Sequence, residues 1–122
     1  MSAFKGTPGP WQLSSESPTI IKQDMSLIGL PDGGVLIGSA CGHESSGFYP
    51  TVDEAEANAR LIAAAPDSHE ANVKFIEAIE CFYNVTAGWT DDCIYDELPS
   101  SGLALAYFAA RAAIAKATGG DA

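Results

Sequence analysis

The feature that most restricts this chain is a change of pattern at Thr51. Before it, short β-rich apolar runs are broken by proline and glycine; after it, alanine-rich stretches carry apolar residues at helical spacing. A single switch of this kind places the strands in one half and the helices in the other, which is the order of an α+β fold.

In the first half each proline opens an extended segment. Trp11-Gln12-Leu13 follows Pro10, and Thr19-Ile20-Ile21-Lys22 follows Pro18. Met25 to Leu30 and Val35 to Gly38 read as two further strands, joined by Pro31-Asp32-Gly33-Gly34. Asp-Gly-Gly between apolar runs is a hairpin signal, because glycine accepts the positive φ of such turns. Residues 41–50 read as a loop with room for an edge strand.

Thr51-Val52-Asp53-Glu54 is a capping-box sequence and opens a helix to about Ala64. Pro66 starts a second helix, with Ala71, Phe75, Ile79 and Phe82 at helical spacing, that fades near Asn84. Residues 84–100 read as a long connection. Ser100 or Ser101 caps a last helix to about Lys116, stopped by Gly119-Gly120. That helix is apolar on nearly every side, which predicts burial against a sheet or at a subunit interface. The expectation is one domain over 1–122: an N-terminal antiparallel meander of four to five strands (1–52), then a helical half (53–122) with two long helices and one shorter helix.

The chain has 122 residues and a net charge of −10, from sixteen acids and six bases. Coating of double-stranded nucleic acid or an anionic membrane needs neutralising Lys and Arg, so both are excluded as partners. A hydrophobic fraction of 47% argues against disorder. Residues 1–11 hold no apolar run of the kind a signal peptide carries, and Leu98 to Ala110 is too short to span a bilayer. Cys41, Cys81 and Cys93 form no paired set, which fits reduced thiols in a cytoplasm. The charge is uneven: residues 53–100 carry a net −9, and 101–122 are net positive.

Chemical motifs are scarce. Cys41-Gly42-His43 lacks partners at zinc-ligand spacing, and the acids at 91, 92, 96 and 97 lack the glycine of an EF-hand loop. No nucleophile elbow and no phosphate-cradling glycine motif occurs. Neither an enzyme, a cofactor nor a metal is expected. The two arginines, Arg60 and Arg111, both sit in alanine-rich helices, Arg111 one turn after Tyr107. Such a guanidinium is expected to be partly buried, where it must meet a carboxylate, carbonyls or a bound anion. Phe82, Tyr83 or Trp89 could stack on a base beside it.

Three segments carry a resemblance. Thr7-Pro8-Gly9-Pro10-Trp11, Glu56 to Pro66, and Ala110 to Ala117 look like a widespread family of small phage and prophage proteins. The layout is also similar to the phage Thoeris anti-defence sponges. That likeness implies a cytoplasmic homo-oligomer, dimer or hexamer, that sequesters a cyclic ADP-ribose signal or a cyclic oligonucleotide without cleaving it. It implies ligand binding by Arg60, Phe82 and Arg111, with Asn58 and Tyr107 beside them. The acidic stretch motivates a different reading, a phage protein that blocks a host protein by imitating nucleic acid.

Overall fold

The computed structural model describes residues 4–30, 33–43 and 50–120. The elements, in chain order, are β1 (Trp11–Leu13), β2 (Ile20–Gln23), β3 (Leu36–Ser39), α1 (Val52–Ala63), α2 (Ala65–Tyr83), α3 (Asp91–Glu97) and α4 (Ser101–Thr118). They form two compact units, Gly6–Ser68 and Met1–Lys5 with His69–Ala122.

The first unit holds an antiparallel sheet in the order β1-β2-β3. Trp11 pairs with Gln23 and Ile20 with Ser39, and a bulge at Ile21/Lys22 bends the second ladder. This corrects the expected four to five strands: among the described residues there are three. Met25 to Leu30 is not a strand. The Asp24 carboxylate accepts the Ser26 amide at 2.9 Å, a 3₁₀ turn follows over Ser26–Ile28, and Gly29 closes it at φ 84°. That local hydrogen bonding competes with a ladder and wins over β-propensity. The expected hairpin turn at Pro31-Asp32 and the edge strand expected within 41–50 fall largely outside the described residues.

Helix α1 begins as its sequence requires. The Thr51 hydroxyl accepts the Glu54 amide at 3.2 Å, and Glu54 accepts the Thr51 amide at 3.1 Å. The helix packs on β1 and β2 through Ala55 and Ala59, both fully buried, with Ile21 from the sheet. Small residues let a helix lie close to a sheet. The same closeness explains Gly42, where a Cβ would stand 2.7 Å from that of Ala55.

The second unit is helical. Ile76 and Ile79 of α2, Ile94 and Leu98 beside α3, and Ala104, Tyr107, Ala110 and Ile114 of α4 make one core. Those α4 positions recur every three or four residues, so the helix buries one stripe and exposes alanines elsewhere. Its ends obey their capping residues: Ser100 accepts the Leu103 amide, and Gly119 takes φ 70°. Helix α3 is a second correction, because it lies where a connection was expected and makes the helices four rather than three. Its signal was Thr90, whose hydroxyl accepts the Cys93 amide at 3.2 Å.

Candidate functional site

The residues singled out from the sequence divide between the units. Asn58 and Arg60 lie on α1 in the first. Phe82, Tyr107 and Arg111 lie in the second.

Arg60 is exposed, not partly buried as expected. Ala55 and Ala59 are the positions of α1 that face the sheet, and the next residue round a helix turns about 100° away from such a face. Alanine neighbours in sequence therefore misreport burial here. Phe82 is 77% exposed, with its ring edge-on to Tyr83 at 4.9 Å.

Arg111 and Tyr107 do meet. The Arg111 guanidinium stands 5.6 Å from the Tyr107 ring and 5.1 Å from that of Phe108, within cation–π reach of both. Its Nη2 donates to Asp91 Oδ1 at 2.9 Å, joining the last helix to the start of α3. Asp91 is 68% exposed, so water screens the pair and its worth to stability is small. Of the fates open to a half-buried guanidinium, this one is engagement by a carboxylate.

Beneath it, the Tyr107 hydroxyl donates to Glu80 Oε2 at 3.1 Å. Glu80 is half-buried. Its signal was register: it lies four residues after Ile76, on the stripe that also carries Ile79 and Tyr83. Burial raises the Tyr107 pKa above 10.0, and the hydrogen bond and charge of Glu80 raise it further, against a smaller opposing pull from Arg111. Folding favours the protonated phenol, so this contribution is full below the ordinary tyrosine pKa and disappears as pH rises through the folded value. Titration followed at 295 nm is expected to show a step above the ordinary tyrosine range that Tyr107→Phe removes. Persistence of that step in the variant would place the raised group elsewhere.

The acids are the larger feature of the second unit. Glu70, Glu77, Asp91, Asp92, Asp96 and Glu97 are all exposed. Glu70 pairs with Lys74 at 2.9 Å and Asp91 with Arg111; the other four have no ion pair among the described residues. Asp91 and Asp92 stand in the first turn of α3, where the helix dipole favours negative charge. Asp96 and Glu97 stand in its last turn, where the dipole opposes them. Helix stability does not account for that second pair.

The three signature segments have structural roles. A Cβ on Gly9 would stand 2.5 Å from the Cβ of Pro66, so the first segment lies directly against the end of the second. Trp11 Nε1 donates to the Thr7 carbonyl at 3.1 Å, and Asp24 donates its amide to the Pro10 carbonyl at 2.8 Å. The third segment supplies Ala110 and Ile114 to the helical core. No helix among the described residues is long and apolar enough to cross a membrane.

A family model described as Salmonella phage P22 protein Y8K6 matches residues 1–121 of the chain. No curated protein and no solved structure matches it.

Proposed function

We infer that this chain, which belongs to the family of Salmonella phage P22 protein Y8K6, is a phage protein that works by binding rather than by catalysis, presenting its acidic helices to a basic host protein in the cytoplasm. The observation that carries this reading is the placement of Asp96 and Glu97. They are exposed, unpaired among the described residues, and set where the α3 dipole disfavours them. Carboxylates that the fold does not need, with Asp92 on the same helix and Glu77 exposed on α2, offer negative charge of the kind that nucleic-acid-binding proteins recognise. Host extract passed over the immobilised chain at low salt is expected to leave nucleic-acid-binding proteins on it. Rising salt should release them, and duplex DNA should displace them. An empty column at low salt, or bound proteins that DNA does not displace, would contradict the imitation.

A second reading keeps the ligand small. In it the chain is a counter-defence protein that sequesters a cyclic nucleotide, of the cyclic ADP-ribose or cyclic oligonucleotide type, as the sponge resemblance implies. Its support is Arg111, held over two aromatic rings by a carboxylate that is itself mostly solvated. A phosphate could replace Asp91 at the guanidinium, while the exposed Phe82 ring remains open to a base. Calorimetry with cyclic ADP-ribose isomers and cyclic di- and trinucleotides separates the readings. The small-ligand reading requires heat that Arg111→Ala abolishes and that Asp91→Asn strengthens. No heat with any of them ends it.

A further inference from the structure

The first unit leaves an apolar surface uncovered around its last strand. Leu27, Ile28, Leu30, Val35 and Leu36 are each between 54% and 88% exposed. Five aliphatic side chains at that exposure in the space of ten residues are costly for a molecule of this size, and monomers rarely keep such patches beyond roughly 300–600 Å². Among the described residues the strand beside them has an open edge as well. β3 pairs only with β2 among the described residues, and Leu36-Ile37-Gly38-Ser39 carries no charge and no proline. Natural edge strands usually carry one of those devices to prevent pairing with another chain.

We propose that β3 and the Leu27–Leu36 surface form a two-fold interface with a second copy of this chain, the two β3 edges pairing antiparallel. Charge selects a second copy as the occupant. In a chain of net −10, residues 25–43 contain one formal charge, Asp32. Across residues 53–100, which carry a net −9, two copies would meet acid against acid; here they meet without that repulsion. A two-fold interface also requires a patch that is complementary to itself, and an uncharged apolar edge satisfies this without further design. The area is adequate. The five side chains present on the order of 400 Å² per copy, and with the paired backbone two copies approach the ~1,000 Å² of a specific interface. The interface is built from β3 and the turn before it, and not from α4, the element whose apolar sequence pointed to one; α4 commits Tyr107 and Ile114 to the helical core.

Sedimentation velocity on the full chain tests this, over a concentration series from about 1 to 100 µM because association follows mass action. The wild type is expected to shift from monomer to dimer across that range. Leu36→Lys puts like charges across the paired edges and is expected to weaken the dimer at least tenfold. Leu27→Lys, at the most exposed of the five positions, provides a variant with nothing to lose in the folded monomer. Circular dichroism should match the wild type for both. A wild type that stays monomeric throughout would overturn the proposal and leave the surface to another protein. A dimer that survives both lysines would place the interface elsewhere.

Discussion

Ile114→Ala is expected to cost about 3 kcal/mol, since buried isoleucine truncations fall in the range of roughly 2–5 kcal/mol. Ile114 is 1% exposed and sits in a core that draws on α2, α3 and α4 together. Removing its branched side chain leaves a cavity that three helix backbones would have to move to fill. A domain of this size has a total stability of about 5–15 kcal/mol, so a large fraction of it is lost. The melting temperature should fall by on the order of 10 °C. Leu61→Ala is the matched control, because Leu61 is 74% exposed on α1 and its truncation should stay within about 0.5 kcal/mol. Urea unfolding followed by far-ultraviolet circular dichroism measures both. Equal midpoints for the two variants would mean that the helical core is not assembled as described.

Gly34→Ala is expected to be nearly as damaging, for a reason in the backbone. A Cβ at Gly34 would be driven into the carbonyl group of Gln23. The atoms it meets are main chain, so no side-chain rotation relieves the overlap. The neighbouring bond from the Gln23 amide to the Val35 carbonyl, 2.8 Å long, holds the start of the β2–β3 ladder and must give way. Overpacking of this severity costs roughly 2–3 kcal/mol. Gly38→Ala, four residues along, meets no atom within 4 Å and should be neutral or slightly stabilising. The pair separates a steric requirement from a general need for glycine, and equal unfolding midpoints would refute the close approach at Gly34.

What the sequence made legible was local. Thr51 with Glu54, Ser100 and Gly119 each satisfy backbone groups within four residues of themselves, so the helix ends they mark could be read without knowing the fold. The turn at Ser26–Ile28 was hidden because the local hydrogen bond from the Ser26 amide to the Asp24 carboxylate outweighed a run of strand-forming residues. Helix α3 was hidden because seven acid-rich residues are too few to display a period. The candidate site depended on contacts distant in the chain. Arg111 finds Asp91 twenty residues away, and Tyr107 finds Glu80 twenty-seven away. Likewise nothing at Gly9 announces Pro66, the contact that brings the first two signature segments together.

On the proposed function, the acids of the helical unit serve recognition rather than folding. Its most direct test is the triple variant Glu77→Gln, Asp96→Asn, Glu97→Gln, compared with the wild type for melting temperature and for capture of DNA-displaceable host proteins at low salt. All three positions are exposed and free of ion pairs among the described residues, and the last two are opposed by the helix dipole. An unchanged or slightly raised melting temperature is expected, with capture reduced at least tenfold. Capture that persists at wild-type strength in a folded variant would contradict it.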